Sequence, residues 1–366
     1  MTTVDRGLEA CFSRDYAQAR ASFLAAARER GLEVRSALLP DHRGAADEDL
    51  AIDSVLLGDP DARQLLMVSS GIHGVEGFCG SGCQLALLGD RELTARIDAS
   101  RHAVLVVHAL NPHGFSHLRR VNEDNVDLNR NFVDFDAPPR NDAYARVHEL
   151  LLPPRRPGPI NAARLGLATA RLGLATIQAA ISSGQYSHPE GMFFGGQRPS
   201  FTNLELRALL RRHARARDRL LWLDLHTGLG RRGACERILL AHDDPGDAPV
   251  ARAIWGRDGA AITSAFDGSS TSAPLHGTPV HAIAQECPGL AFVGLTLEFG
   301  TWPLPLIFLA LQRDHWLTNH PDAAGLAAAR RRLRDAFYVD RPRWRAKVWR
   351  ACRATIVDAL DAMDRA

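Results

Sequence analysis

Short apolar runs separated by glycine and polar turns occupy the first half of the chain, and they predict β-strands. Such runs lie at 51–57, 64–70 and 103–110. The second run is followed by a glycine-rich turn, GIHGVEGFCGSG, that leads into a small-residue helix predicted at about 76–88. Strand, loop, helix and strand in this order predict a sheet with parallel strands and helices on both faces.

Three later apolar runs end in polar residues. Strands are predicted at 219–230, 233–242 and 289–301. The first ends in Asp-Leu-His-Thr-Gly, and the last ends in a glutamate followed by Phe-Gly-Thr. Open α/β sheets bind ligands at the carboxyl ends of their parallel strands, so this edge is the expected place for a site.

Helical spacing of apolar residues marks the two ends of the chain and one internal segment. Helices are predicted at 5–30, 304–317, 322–337 and 343–364, with a short one within 137–160. A tandem repeat, ARLGLAT-ARLGLAT, predicts a further helix within 161–182, because seven residues make two helical turns. The proline-, glycine- and aromatic-rich stretch after it is expected to be an irregular, functional loop.

No linker composition divides the chain. We therefore expect a single α/β domain over residues 1–366, with a mixed, mostly parallel twisted sheet and helices on both faces. Its core is predicted at about 50–305, with helical additions at 1–40 and 304–366.

Composition narrows the class of protein. The 366 residues are 46% hydrophobic and carry a net charge of +2, which excludes a disordered chain and argues against a nucleic-acid partner. The apolar runs are far shorter than the roughly 20 residues of a membrane-spanning helix, so no membrane association is expected. Six scattered cysteines without a CxxC pair, and an N-terminus unlike a secretory signal, predict a cytoplasmic protein with reduced thiols.

His73 and Glu76 stand three residues apart where a strand turns into a helix. Their side chains can converge on one point, and imidazole and carboxylate are ligand types that zinc accepts. The alternative is a turn histidine followed by a glutamate that favours the helix dipole.

His226 and Glu298 each follow a buried strand. His226 would complete a His2Glu ligand set with one position left for water. Glu298, partly desolvated beside a metal, would have a raised pKa suited to a general base. The alternatives are a histidine bonded to a loop carbonyl and an edge glutamate that caps the next helix.

The polar segment RRVNEDNVDLNRNF, residues 119–132, is a candidate for substrate binding. It contains arginines, and a guanidinium can bind a planar carboxylate through two parallel hydrogen bonds. The alternative is a solvated, ion-paired loop.

Taken together, HxxE at His73, VDLNRNF at 126–132, the strand-end His226 and the strand-end Glu298 resemble the zinc carboxypeptidase family in the order of its motifs. The resemblance covers roughly residues 60–305. The surrounding sequence is more similar to a bacterial branch than to the digestive enzymes. The DLHTG segment is also similar to succinylglutamate desuccinylase and aspartoacylase.

The resemblance implies a fold, a cofactor and a reaction. His73, Glu76 and His226 would bind one zinc ion, and Glu298 would be the base that activates water. The expected activity is hydrolysis of an amide bond next to a carboxylate, in a peptide or a small molecule.

It also implies roles for the polar segment. Asn129 and Arg130 would hold the substrate carboxylate, and Asp127 would orient the first histidine ligand. An arginine would polarise the scissile carbonyl and stabilise the oxyanion. Arg120 is our choice for that arginine and Arg119 the alternative, because the spacing is not decisive.

One feature of the digestive enzymes is missing, because no tyrosine lies between His226 and Glu298. The side chains considered as replacements are Tyr186, His188, His276 and His281. The missing tyrosine leaves open an N-acyl amino acid deacylase or esterase on the same fold. A metal-free binding module is the alternative from another class.

Overall fold

The computed structural model describes residues 3–240, 247–256 and 259–365. Their strands form one sheet in the order β1-β2-β4-β3-β5-β8-β6-β7. The strands are β1 (Val34–Arg43), β2 (Asp49–Gly58), β3 (Gln64–Ser70), β4 (Ala103–His108), β5 (Arg219–Gly228), β6 (Cys235–Leu240), β7 (Ile262–Thr263) and β8 (Ala291–Gly300).

The centre of the sheet is parallel. Strand β3 pairs in parallel with β4 and β5, and β5 pairs in parallel with β8. The pairs β1–β2, β2–β4 and β6–β8 are antiparallel, and the short β7 is parallel to β6. The predicted fold class, a single α/β domain with a mixed, mostly parallel sheet, is confirmed.

Helices cover both faces of the sheet. They are α1 (Thr3–Ala10), α2 (Tyr16–Glu29), α3 (Gly77–Gly89), α4 (Arg91–Ala99), α5 (Pro112–Ser116), α6 (Asp142–Leu151), α7 (Pro159–Leu172), α8 (Leu174–Ser182), α9 (Phe201–His213), α10 (Ala248–Trp255), α11 (Val280–Glu286), α12 (Leu304–Thr318), α13 (Leu326–Phe337) and α14 (Pro342–Asp364).

The central strands are buried on both faces, which is why they read as continuous apolar runs. In β3, Leu66 and Val68 pack into the core cluster that contains α2, α3 and α14. Leu65 and Met67, which alternate with them, pack into the cluster on the opposite face with α9 and α11. A strand with two buried faces is held firmly, so its carboxyl end presents the next residues at a fixed place.

The N-terminal region differs from its prediction. A single helix over 5–30 was expected, but α1 ends at Ala10, and α2 begins at Tyr16 after Asp15, whose side chain accepts a hydrogen bond from the Gln18 N–H. The helical addition at 1–40 is also wrong in part, because β1 pairs with β2 from Val34 onward. β1 is a mostly exposed edge strand and therefore has no apolar run to reveal it.

The repeat helix is interrupted. One helix was predicted within 161–182, but α7 ends at Leu172 and α8 begins at Leu174. The break falls at Gly173, whose φ of +87° is accessible to glycine and unfavourable for other residues. The strand predicted at 233–242 begins at Cys235, and its residues 241 and 242 lie outside the described part of the chain.

Among the described helices, none has the length and apolar character to cross a bilayer alone. A sharply bent pair, Pro159–Leu172 with Thr176–Ser182, meets those two criteria only when the helices are taken together.

Candidate metal centre

Two strand ends and one turn bring the candidate ligands together at the carboxyl edge of the sheet. His73 follows β3, and the 3-10 helical turn Gly74–Glu76 carries the glutamate. His226 lies near the end of β5, directly paired in register with Glu298 of β8. Three chain segments that are distant in sequence thus meet because their strands are neighbours.

Gly74 allows the turn to pack closely against helix α5. A Cβ atom on Gly74 would lie 2.0 Å from the carbonyl carbon of Gly114, so only glycine fits there without movement of the backbone. The N–H of Gly74 donates to the Arg120 carbonyl at 3.1 Å, and the N–H of Val75 donates to the Arg119 carbonyl at 3.0 Å. The ligand turn is therefore fixed to the segment that begins the polar motif.

Donor atoms of His73, Glu76 and His226 all lie within 4.8 Å of one another. The two carboxylate oxygens of Glu76 lie 3.0 Å from Nδ1 of His73 and 3.1 Å from Nδ1 of His226. Ligands of a tetrahedral zinc are about 3.4 Å apart when each bond is 2.0–2.2 Å. Two imidazoles and a carboxylate are also the donor set of known catalytic zinc sites, so the residues present fit this ion.

A second carboxylate lies behind each imidazole. Nε2 of His73 is 3.1 Å from Oδ1 of Asp127, and Nε2 of His226 is 2.7 Å from Oδ2 of Asp224. Such a partner fixes the tautomer of a metal-binding histidine and leaves the Nδ1 lone pair free to bind the metal. This applies to His226, whereas Nε2 of His73 also faces the Arg120 guanidinium at 2.8 Å. The family resemblance implies an orienting role for Asp127, and its position behind His73 is compatible with that role.

Asp224 was missed in the sequence. The sequence does contain a pattern that could have identified it. Asp224 precedes His226 by two residues in β5, and residues two apart in a strand lie on the same face of the sheet. Its other oxygen, Oδ1, accepts a hydrogen bond from the Ser69 hydroxyl at 2.6 Å. The Trp222 indole N–H donates to the same hydroxyl at 2.7 Å, so the aspartate is held in place from β3 as well.

The electrostatics keep the Glu76 carboxylate charged. Burial by itself raises its pKa, but His73 and His226 outweigh that effect and hold the pKa below its usual range. Burial lowers the pKa of His226, whereas Asp224 and Glu76 raise it well above the ordinary value. The Glu76 carboxylate is therefore an anionic ligand, and a metal bound at Nδ1 of His226 would displace a proton from that ring.

Glu298 differs from Glu76 in its surroundings. Burial and the nearby charge of Glu76 raise the pKa of Glu298 to about 7. One of its oxygens accepts a hydrogen bond from the Leu229 N–H at 2.8 Å. A carboxylate with these properties can exchange protons near neutral pH.

The two adjacent arginines point in opposite directions. Arg120 places Nη2 2.8 Å from Nε2 of His73, Nη1 3.3 Å from Glu76, and Nε 3.1 Å from Asp127. Arg119 instead donates to Oδ2 of buried Asp314 at 3.2 Å. Of the two, Arg120 alone lines the cavity beside the metal centre.

Asn129 and Arg130 also line that cavity. Nε and Nη2 of Arg130 donate to the Ser182 carbonyl at 2.9 and 2.7 Å, and Nη1 donates to the Asn129 carbonyl at 2.8 Å. These three bonds use three of the five guanidinium N–H groups. The side chain is thus held rigidly and retains donors for an anionic ligand.

Of the side chains considered as replacements for the missing tyrosine, one lines the cavity and three do not. The Tyr186 hydroxyl donates to the Arg130 carbonyl at 2.7 Å, and the His188 ring packs on His148 at 4.2 Å. Neither Tyr186, His188 nor His276 lines the cavity, whereas His281 does. The cavity has a volume of about 200 Å³.

The fold of this chain is that of the metallocarboxypeptidases. Carboxypeptidase A from Helicoverpa armigera superposes with a TM-score of 0.50 at 13% identity, over 95% of this chain and 74% of that one. Bovine thrombin-activatable fibrinolysis inhibitor gives 0.48 at 12% identity, over 94% and 97%. A Pseudomonas aeruginosa metallo-carboxypeptidase, solved with (2-guanidinoethylmercapto)succinic acid, gives 0.41 at 15% identity, over 93% and 68%.

The chain belongs to the DUF2817 family, described as proteins of unknown function, whose model matches residues 12–351. No curated protein sequence matches the chain significantly. The resemblance to zinc carboxypeptidases that the motifs indicate is confirmed as a likeness of fold.

Proposed function

We propose that this protein is a zinc-dependent hydrolase that cleaves an amide bond next to a carboxylate. The observation that carries the proposal is the convergence of His73, Glu76 and His226 at a cavity that Glu298 also lines. Metal-assisted hydrolysis needs ligands held in place and a separate general base. Here a carboxylate orients each imidazole ligand, and Glu298 is an acid that neither binds the metal nor orients a ligand.

The metal would be held by His73, Glu76 and His226. A zinc ion with an open position lowers the pKa of water to about 7 and polarises a carbonyl group. Glu298 accepts the proton of the attacking water and then donates it to the leaving nitrogen. The Leu229 N–H holds one oxygen of Glu298, which leaves the other oxygen available for this proton.

Two arginines provide positive charge at the site. Arg120 would stabilise the transition state, and Arg130 would bind the substrate. Arg120 is anchored by Asp127 and lines the cavity beside His73, where its guanidinium would stabilise the oxyanion as the carbonyl is attacked. Arg130, with Asn129, would bind the carboxylate of the substrate through the N–H groups not used within the protein.

A deacylase acting on N-acyl amino acids is a second candidate. It is favoured by the position of Tyr186, whose hydroxyl is bonded to the Arg130 carbonyl and does not line the cavity. The phenol that closes over the substrate in digestive carboxypeptidases thus has no counterpart in Tyr186. Both candidates share the same centre and reaction, and differ in the acyl group they accept.

The test combines metal analysis with a substrate panel of C-terminal peptides and N-acyl amino acids. We expect one zinc per chain, hydrolysis of at least one class, and a loss of about hundredfold or more in Glu298→Gln with zinc retained. Glu205→Gln, which alters a carboxylate of α9 that is paired with Arg35 of β1, is the matched control. A Glu298→Gln variant as active as the wild type contradicts the role of Glu298, and a protein that binds no zinc contradicts the proposal.

A further inference from the structure

Two large apolar side chains are exposed at the mouth of the cavity. Phe266 and Leu304 line the cavity, yet they are 42% and 45% exposed. Leu306 and Leu309 of α12 are also exposed, but they lie on the opposite face of the helix from the cavity-lining Leu304. We call Phe266 and Leu304 the apolar rim. Apolar surface concentrated at the entrance of a site indicates contact with an apolar partner.

The wall behind this rim is also apolar. Ile307 and Leu311 of α12, together with Leu240 of β6, also line the cavity. Helix α12 therefore offers apolar side chains both inside the cavity and at its mouth. A ligand that lies along α12 would bury apolar surface along its length.

The same cavity contains the cationic groups assigned to a carboxylate. Arg120 and Arg130 line it on the side of the polar motif. A ligand that satisfies both regions is amphiphilic, with an anionic end at the arginines and a long apolar end on the rim. A peptide with polar side chains would leave the rim without a partner.

We propose, on the basis of the proposed function, that the substrates are amino acids N-acylated with a long apolar chain, and that this chain lies on the apolar rim. Water supplies its hydroxyl to the carbonyl carbon and its proton to the nitrogen while the C–N bond breaks. The products are a fatty acid and the free amino acid. No oxidant, reductant or further reactant is needed.

The experiment measures kcat/KM for phenylalanine carrying an acetyl, hexanoyl or decanoyl group. Each fully buried methylene is worth about fourfold in binding, so a partly buried chain should raise kcat/KM by about tenfold or more from acetyl to decanoyl. In Leu304→Asn this ratio should fall by about threefold or more, whereas Leu309→Asn, on the opposite face of α12, should retain it. The control is Leu204→Asn on α9, which removes a 56% exposed leucine outside the cavity lining and should retain the ratio.

The outcomes separate this inference from the function on which it rests. Hydrolysis of all three substrates at equal kcat/KM overturns the role of the rim and leaves the hydrolase intact. A wild-type dimer that Leu304→Asn converts to a monomer also overturns it, because the rim would then be an interface between copies. If none of the three is hydrolysed while C-terminal peptides are, the inference fails and the hydrolase stands. If peptides are not hydrolysed either, the proposed function fails, and calorimetry with N-decanoyl-phenylalanine decides the inference: equal affinity in wild type and Leu304→Asn contradicts it, and weaker binding by the variant supports it.

Discussion

Each imidazole of the metal centre lies between two carboxylates. His73 contacts Glu76 through Nδ1 and Asp127 through Nε2, and His226 contacts Glu76 and Asp224 in the same way. The shared carboxylate is on the cavity side of the rings, and the other two lie behind them. The orientation of both rings is therefore set by acids that would not touch the metal.

We predict that Asp224→Asn weakens zinc binding by about 10- to 100-fold, because a neutral amide is a poorer acceptor for the His226 N–H. Competition with a chromophoric chelator measures this affinity. Asp53→Asn, which neutralises another buried carboxylate, paired with Arg20, should bind zinc like the wild type. Wild-type affinity in Asp224→Asn would show that Asp224 does not orient the ligand.

Acid stability should depend on a buried histidine that is not one of the candidate metal ligands. Burial lowers the pKa of His108 to about 4, and its Nε2 lies 2.9 Å from the Ser81 hydroxyl. The unfolded chain takes up this proton near its ordinary pKa of about 6.5, so stability is retained above that pH and lost as pH falls toward 4. Between pH 7 and pH 5, His108→Gln should lose about 2 kcal/mol less free energy of unfolding than the wild type does.

Urea unfolding at the two pH values measures this difference. The exposed His276 provides the control, because His276→Gln should follow the wild type at both. Equal losses in His108→Gln and wild type would mean that His108 accepts a proton as readily in the folded protein as in the unfolded chain.

The residues that could be predicted from the sequence are those at the ends of buried strands. His73, His226 and Glu298 follow apolar runs, and physical chemistry alone places them at one edge of a parallel sheet. Asp224 was not predicted because it lies inside an apolar run, where a buried aspartate is hidden unless its histidine partner is already known. The choice between Arg119 and Arg120 depends on Asp314, a residue about 190 positions away that no local pattern connects with them.

Among the elements, the turn from β3 to α3 restricts its residue types most strongly. Gly74 contacts the backbone of Gly114, and Gly77 faces the ring of Phe115, where a Cβ would lie 2.5 Å away. The turn can therefore bring His73 and Glu76 together only while these positions have no side chain. The glycine-rich sequence at this point reflects packing against α5.

We predict that Gly74→Ala destabilises the protein by about 1–3 kcal/mol and also weakens zinc binding, because the turn must move away from Gly114. Gly89→Ala, at the end of α3, places its Cβ where nothing lies within 4 Å and should be neutral or slightly stabilising. Thermal unfolding and zinc titration of the two variants test this. If both alanine variants bind zinc as the wild type does, the turn is not the constraint described here.

Elements with a strong local pattern could be predicted, and those determined by distant contacts could not. The buried strand β3 and the helices α12 and α14 follow the apolar pattern closely. Strand β1 is an exposed edge, held by its pairing with β2. The break at Gly173 occurs in the second copy of a repeat whose first copy, with Gly166, stays helical, so the tertiary surroundings decide between them.

At the scale of the molecule, the sheet brings residues that are distant in sequence together in one site. Glu76 accepts a hydrogen bond from the Thr227 N–H at 2.9 Å, although the two residues are 151 positions apart. The order β3-β5-β8 places the ends of three parallel strands side by side. A metal bound at this edge would bridge β3 and β5 directly and stabilise the folded state over the unfolded one.

The central claim is the position of the zinc, and anomalous X-ray diffraction at the zinc edge of crystals of the zinc-loaded protein tests it most directly. We predict one peak per chain, about 2.0–2.2 Å from Nδ1 of His73, Nδ1 of His226 and a carboxylate oxygen of Glu76. A peak at another place, or no peak at these three side chains, would contradict the account.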